Sequence, residues 1–193
     1  MDEKRRCFGR AAGHFAAAAV LLLAAGYLWI DRDLLVDDTL FSAEIAVAAK
    51  RHALDADFVR AVIFQESRFD PFKKGRKGEY GLMQILPEGS VREWAASRGT
   101  RVPAGSELFD VRTNLEIGCW YLARGLREYR NYRCARELAL IWYNAGPSRA
   151  AAWKPGSRDA DVMPNIRVGT TKKYVTRVMA RYRKYREKRK ANP

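Results

Sequence analysis

The segment AVIFQESRFD, residues 61–70, ends a helical pattern on a carboxylate. Val62, Ile63 and Glu66 fall on one face of the predicted helix. A carboxyl group on an apolar face loses much of its hydration, which disfavours the charged form and raises its pKa. Glu66 is therefore a candidate general acid, because such an acid works best when its pKa lies near the working pH. The alternative is a helix-end glutamate that is solvated or paired with Arg68.

The chain beyond residue 38 follows a helical pattern throughout, with few alternating β-branched runs. Loops are expected at 71–80 and 98–106, and Gly and Pro make 145–163 irregular. Pro71 is expected to end the helix that carries the carboxylate. The sequence thus predicts a mainly α fold. The predicted helices cover 39–51, 57–69, 88–97, 114–129, 136–143 and 172–187, with a helical turn at 81–85.

An uncharged apolar run covers residues 11–30, with Lys and Arg before it and Asp31 after it. About 20 such residues can cross a bilayer as a helix, and the basic flank places the following residues outside the cytoplasm. We expect a membrane anchor, with a cleaved signal peptide and a buried helix of a soluble protein as alternatives. The resulting division has a cytoplasmic basic tip at 1–10, the anchor or signal sequence at 11–30, a neck at 31–38, the main domain at 39–185 and a basic tail at 186–193.

The chain is strongly basic, with 36 Lys and Arg against 22 Asp and Glu and a formal net charge of +14 at pH 7. Such an excess favours polyanionic partners: nucleic acid, acidic lipid headgroups or an anionic wall polymer. Between Lys172 and Lys190 there are ten basic residues and one acid, Glu187. This helix is expected either to contact anionic polymer or lipid headgroups or to be a solvated face. Nucleic acid is not expected as a partner, because it would leave the apolar N-terminal run unexplained.

The cysteines and histidines predict no metal site, because there is no C-x-x-C pair and only His14 and His52 are present. Cys119 and Cys134 would face an oxidising compartment if the anchor is retained. A disulfide between them would close a short loop and could add roughly 3 kcal/mol to stability. Two separate buried thiols are the alternative.

Five short motifs follow one another along the chain. They are Glu66-Ser67, Gly81-Leu82-Met83-Gln84, Asn114-Leu115 with Gly118, Trp142-Tyr143-Asn144-Ala145-Gly146, and Tyr174-Val175. Each motif is unspecific by itself, but the ordered set resembles the soluble lytic transglycosylase family, whose relatives include goose-type lysozyme. The resemblance covers residues 41–182 and implies a compact, lysozyme-like helical domain with a substrate cleft.

The resemblance implies roles for residues at the catalytic centre. Glu66 corresponds to the single catalytic acid/base, and Ser67 to a residue of the substrate site that supports the helix end. Tyr174 corresponds to a tyrosine near the catalytic carboxylate. One position departs from the family pattern, because Thr170 stands where a glutamate is usual, which puts a supporting contact in doubt but not the acid.

Further residues correspond to the substrate-binding surface of the family. Gly81, Met83 and Gln84 match the loop of the cleft wall, with Met83 and Gln84 touching the sugar. Asn144 and Ala145 match the segment that contacts the N-acetyl group near the scissile bond. Nearby aromatic side chains could stack on sugar faces or belong to the core, and these are Tyr143, Trp142 and Trp153.

The activity implied by the resemblance is cleavage of the MurNAc-β-1,4-GlcNAc bond of peptidoglycan glycan strands. One carboxylate suffices if the C6 hydroxyl of the substrate supplies the nucleophile and leaves a 1,6-anhydromuramoyl end; Glu79 is expected to be solvated. No metal or organic cofactor is expected. Hydrolysis of peptidoglycan and a non-catalytic wall-binding role in a secretion system are the alternatives. The expected location is the inner (cytoplasmic) membrane, with the catalytic domain at 39–185 in the periplasm or facing the cell wall.

Overall fold

Seven α-helices build the part of the chain that the computed structural model describes, which is residues 36–191 together with Val20. This confirms the mainly α class. The α-helices are α1 (Ser42–Arg51), α2 (Ala56–Glu66), α3 (Arg92–Arg98), α4 (Val111–Glu128), α5 (Ala135–Ala145), α6 (Pro147–Trp153) and α7 (Gly169–Ala191). A π-helical turn spans Pro87–Val91, and 3-10 turns span Glu107–Phe109 and Met163–Asn165.

The end of α2 differs from the expectation. The helix stops at Glu66, three residues early, because Arg68 and Phe69 take left-handed φ angles of 56° and 65°. A right-handed helix cannot continue through such residues. Pro71 lies beyond this break and does not cause it. The carboxylate is therefore borne by the last residue of the helix.

Helices α4 and α5 form an antiparallel hairpin that provides much of the core. Trp142 of α5 packs against Gly125, where a Cβ would lie 3.0 Å from the indole Cγ. The rings of Tyr121 and Trp142 are 6.2 Å apart. Trp142 is buried and belongs to the core, which was one of the two roles considered for it.

This hairpin explains why the two cysteines among the described residues, Cys119 and Cys134, are free thiols and form no bridge. Cys134 directly precedes α5 and lies beside the end of α4, whereas Cys119 is nine residues before Glu128, or about 13 Å along the helix axis. A disulfide needs Cα atoms within about 7 Å of each other. The Cys119 sulfur instead contacts the Met83 sulfur at 3.9 Å. The possible disulfide is thus corrected to the alternative of two buried thiols.

The last helix, α7, packs antiparallel to α2 and buries Tyr174, Val175, Val178 and Tyr182. The Tyr182 hydroxyl donates to the Asp55 carboxylate at 2.8 Å. That carboxylate also caps the start of α2, because its other oxygen accepts from the Asp57 N–H at 3.0 Å. The C-terminal helix therefore lies along the helix that carries Glu66.

Two further elements differ from the sequence-based expectation. The irregular segment 145–163 contains α6, which begins at Pro147, a favoured first residue of a helix. The helix expected over 88–97 is a π-helical turn followed by α3.

The predicted membrane anchor at 11–30 lies outside the described residues except for Val20. None of the helices in the described part of the chain is both long enough and apolar enough to cross a bilayer. The residues from Asp38 onward form one compact unit.

Candidate active site

The centre of the site is a hydrogen bond between α2, near the start of the domain, and α7, its last helix. The Tyr174 hydroxyl of α7 donates to Glu66 Oε1 of α2 at 2.7 Å. Tyr174 is buried and Glu66 is half-buried. A phenol that donates to a carboxyl oxygen stabilises the anionic form of that group, while leaving its second oxygen available.

Burial has the largest effect on the pKa of Glu66. Loss of hydration raises its pKa from 4.5 to about 7, and the negative charge of Glu79 acts in the same direction. The hydrogen bond from Tyr174 and the positive charge of Lys73 lower the pKa and offset part of this effect. A carboxyl group with a pKa near 7 exists in both forms at neutral pH, as a group that first gives and then takes a proton requires.

Asn114 of α4 holds the loop beside this carboxylate. Its side-chain carbonyl accepts from the Met83 N–H at 2.8 Å, and its NH₂ donates to the carbonyls of Tyr80 and Leu108, both at 2.8 Å. The side chain is fully buried and uses both ends of its amide. Gly81 is required here, since its φ is +72° and a Cβ would lie 2.3 Å from the Asn114 nitrogen.

Met83 is placed differently from the expectation that it touches a sugar. Its side chain is completely buried, and a Cβ on Gly118 would lie 2.4 Å from its sulfur. Its N–H is bound by Asn114, and its carbonyl accepts from the Tyr143 hydroxyl at 2.7 Å. Met83 thus anchors the loop to α4 and α5, and its side chain is not available to a ligand.

The side chains of Gln84 and Ser67 form hydrogen bonds with backbone carbonyls around the site. The Gln84 NH₂ donates to the carbonyls of Lys73 and Gly81 at 3.0 and 2.9 Å, and the residue has a left-handed φ of 47°. Gln84 is half-buried, and its side-chain carbonyl remains as an acceptor. Ser67 is buried, and its hydroxyl donates to the Ile63 carbonyl at 3.2 Å, so it closes the end of α2 as expected and offers little to a ligand.

The segment at the end of α5 carries the other predicted binding residues. Asn144 is exposed, and its side-chain carbonyl accepts from the hydroxyl of Thr171 at 3.0 Å. Ala145 is half-buried at the last position of the helix. Thr170, the position that departs from the family pattern, is exposed, whereas its buried neighbour Thr171 makes the contact that orients Asn144.

The aromatic residues divide between core and site. Trp153 is buried, like Trp142, so neither indole is open to a sugar. Tyr143 is half-buried, and its ring lies 5.8 Å from that of Tyr121. The pKa of Tyr143 lies well above its usual value through burial and the charge of Glu66, so the phenol lies within electrostatic range of the carboxylate.

Three residues at the site were not identified from the sequence. Lys73 was not considered and Glu79 was expected to be solvated, yet both charges act on Glu66. Thr171 is the third. The spacing of residues within a loop does not show which charged side chains act on the site. The departure from the family pattern at Thr170 drew attention to the start of α7, but not to Thr171. In the described part of the chain, no three His, Cys, Asp or Glu side chains form a group that could hold a metal ion.

The fold and the site together define a mainly helical domain of the lysozyme-like class whose site contains the partly buried acid Glu66. A family model described as "Transglycosylase SLT domain" matches residues 44–166, and the chain belongs to this family.

Curated relatives and solved structures agree with this assignment. Membrane-bound lytic murein transglycosylase E of Buchnera aphidicola subsp. Acyrthosiphon pisum (strain APS) is 29% identical over 133 residues, which cover 67% of this chain and 59% of that protein. Soluble lytic murein transglycosylase of Escherichia coli (strain K12) is 32% identical over 127 residues, which cover 64% of this chain and 19% of that protein. The chain thus spans only part of the length of these relatives.

Two solved structures share the fold. An inactive mutant of lytic transglycosylase Slt from Pseudomonas aeruginosa has a TM-score of 0.72 and 26% identity, covering 86% of this chain and 26% of that one. The 70 kDa soluble lytic transglycosylase of Escherichia coli has a TM-score of 0.71 and 26% identity, covering 85% and 26%. Both confirm the lysozyme-like helical architecture expected from the motifs.

Proposed function

We propose that this protein is a peptidoglycan lytic transglycosylase that cleaves the MurNAc-β-1,4-GlcNAc bond and forms 1,6-anhydromuramoyl ends. The observation that carries the proposal is the half-buried Glu66, with a pKa of about 7, hydrogen-bonded to Tyr174. Membership of the SLT family and relatives named lytic murein transglycosylases support the same activity.

Glu66 performs both proton transfers in the proposed reaction. Its carboxyl proton moves to the glycosidic oxygen while the bond from that oxygen to C1 of the muramoyl residue breaks, and the acetamido group of that residue assists the departure. The carboxylate, stabilised by the Tyr174 hydroxyl, then accepts the proton of the C6 hydroxyl as its oxygen bonds to C1. The products are a free glucosamine 4-hydroxyl and an anhydro ring, and Glu66 ends protonated as it began.

The residues around Glu66 fit the proposed contacts with the sugar. The open acceptor of Gln84 suits a sugar hydroxyl, and the exposed amide of Asn144, beside Ala145, suits the acetamido group. Tyr143 lies within electrostatic range of the reacting carboxyl group. Met83 and Gly81 contribute by shaping the loop, and Ser67 by closing the helix.

The variant Glu66→Gln tests the proposal, because the amide keeps the shape but cannot donate an acid proton. We expect less than about 1% of wild-type release of anhydro-muropeptides from purified sacculi, given a usual acid/base contribution of about 10²–10⁴-fold. Mass spectrometry of the digest is the measurement. Glu88→Gln is the matched control, since Glu88 is exposed and pairs only with exposed Arg92. Glu66→Gln with activity above this level would remove Glu66 from the mechanism.

Hydrolysis of the same bond is the second candidate, and Glu79 is the observation that favours it. Its charge acts on Glu66, so a second carboxylate lies within electrostatic range of the first. A second carboxylate could activate water in place of the C6 hydroxyl. The digest distinguishes the two reactions, because hydrolysis leaves reducing ends, 18 mass units heavier than anhydro ends by the one added water.

We further propose that the protein acts at the inner membrane with its catalytic domain on the periplasmic or wall-facing side, held by the apolar run at 11–30. The basic face of α7, defined by exposed Lys173, Arg177, Lys184 and Lys188, would rest on anionic lipid headgroups. The four side chains are exposed on the same helix that buries Tyr174.

Vesicle binding tests this surface. The compact unit from residue 38 onward should sediment with vesicles of equal parts phosphatidylglycerol and phosphatidylcholine at low salt, and not with phosphatidylcholine alone. Changing the four α7 residues to Gln should remove most of this binding. A control with the same charge loss replaces the exposed residues Arg127, Arg130, Arg149 and Lys154. Equal loss in both variants, or loss of binding to sacculi only, would contradict the lipid contact.

A further inference from the structure

Lys73 connects the two sides of the site. Its ammonium donates to the backbone carbonyl of Glu66 at 2.5 Å. Its own backbone carbonyl accepts from the Gly81 N–H at 2.9 Å and from the Gln84 NH₂ at 3.0 Å. One residue therefore links the last residue of α2 to the loop that Asn114 holds.

Lys73 differs from the other cations of its loop. Lys74, Arg76 and Lys77 are exposed, whereas Lys73 is half-buried with its ammonium turned toward Glu66. Burying a lysine ammonium is costly unless hydrogen bonds and opposite charge compensate for the lost hydration. The Glu66 carbonyl supplies the hydrogen bond, and the Glu66 carboxylate supplies the charge once its proton has left.

We propose that Lys73 is a positioning residue for the catalytic Glu66, fixing its backbone and keeping a positive charge beside its carboxyl group through both proton transfers. The inference rests on the proposed function, because it concerns the same acid. It assigns to this loop lysine a part in the reaction that the Glu66–Tyr174 pair does not supply.

Four groups from three elements interact with the carboxyl group through a hydrogen bond or through charge. Tyr174 comes from α7 and Tyr143 from α5, while Lys73 and Glu79 come from the loop after α2. Lys73 and Tyr174 lower the pKa of Glu66, and Glu79 raises it. Lys73 is the cation of the set, so its removal leaves the anion that follows the first proton transfer with Tyr174 as its hydrogen-bond donor and Glu79 as a repelling charge.

The test compares three variants of the full-length protein with wild type. Lys73→Met keeps the length of the side chain and removes the charge and the donor, Lys73→Arg keeps both, and Lys77→Met is the control from the same loop. For Lys73→Met we expect about a tenfold loss in kcat on sacculi at acid pH, together with an alkaline limb of the pH profile moved to higher pH. Lys73→Arg should keep the limb of wild type and most of its rate, and Lys77→Met should match wild type.

A merely structural role would lower activity without moving the pH profile, so the limb is the deciding readout. If Lys73→Met does not fold, Lys73→Gln replaces it, since the amide keeps a donor and removes the charge. A folded Lys73→Met or Lys73→Gln variant whose alkaline limb lies at the same pH as that of wild type would overturn the inference. A folded Lys73→Arg variant whose alkaline limb moves as far as that of Lys73→Met would also overturn it.

Carboxyl titration by NMR provides a second readout that does not depend on turnover. The ¹³C resonance of the Glu66 carboxyl group should titrate at higher pH in Lys73→Met than in wild type, and an unchanged midpoint would contradict the inference. Wild type without activity on sacculi would instead remove the proposed function. Active wild type with an inactive Glu66→Gln variant and an unaltered Lys73→Met variant would remove only the role of Lys73.

Discussion

Glu66 has to be protonated when the substrate binds, and this makes the proposed reaction pH-dependent. Its pKa is raised to about 7, so the acid form predominates below that pH and is lost above it. We therefore expect turnover on purified sacculi to fall as the pH rises through about 7. Rates of anhydro-muropeptide release measured between about pH 5 and pH 9 check this. A flat profile with the protein folded throughout would contradict a buried acid.

A substitution of Tyr174 tests whether the alkaline limb of the pH profile belongs to Glu66. Its hydroxyl lowers the pKa of Glu66, so Tyr174→Phe should move the alkaline limb to higher pH and slow the step that forms the anion. Tyr132→Phe, a change of the same kind at the turn between α4 and α5, should leave the limb in place.

At the scale of the elements, Asn114 determines whether the loop keeps its shape. Asn114→Ala would leave the Met83 N–H and the carbonyls of Tyr80 and Leu108 without these partners in a buried region. We expect the free energy of unfolding to fall by about 3 kcal/mol, since each buried group left unpaired costs about 1–3 kcal/mol. Urea unfolding followed by circular dichroism measures this.

The matched control for this prediction is Asn131→Ala, because Asn131 is exposed at the turn after α4. It should change stability by no more than about 0.5 kcal/mol. Equal losses for the two variants would mean that the loop is held by packing and not by the Asn114 amide.

The helices were largely predictable because their apolar periodicity is local information. Their ends were less so: α2 stops at two left-handed residues, Arg68 and Phe69, and neither is a glycine that would have marked the break. Helix α6 was missed because its seven residues offer too little periodicity against a Gly and Pro background. Whether such a short helix forms, and where a helix ends, thus depends on contacts with the rest of the domain.

The burial and raised pKa of Glu66 were predictable from its place on an apolar face, but most of its surroundings were not. The burial of Met83 depends on Gly118, 35 positions away in the sequence. The Lys73 ammonium is held by a backbone carbonyl. Every residue has such a carbonyl, so the sequence could not predict this contact. The motifs predicted this loop as part of the site, but they could not show that the side chain of Met83 is buried.

For the whole molecule, the apolar run at 11–30 is the feature on which the proposed location depends. If it is a retained anchor, the full-length protein should fractionate with membranes and resist extraction by high salt. Removal of residues 1–33 should release a soluble and active domain, because the residues from Asp38 onward are compact by themselves. Fractionation followed by a sacculus assay measures both. A mature N-terminus found near Tyr27 by Edman sequencing would establish signal-peptide cleavage instead.

The pairing of α2 with α7 has a consequence for synthesis of the chain. Tyr174 binds an acid that lies 108 residues earlier, and Tyr182 binds Asp55 across 127 residues. Ribosomes add residues in order, and contacts this distant in sequence form late in folding. A growing chain that carries Glu66 but has not reached Tyr174 lacks the phenol that tunes its acid. The proposed site would therefore be complete only after residue 174 has been made.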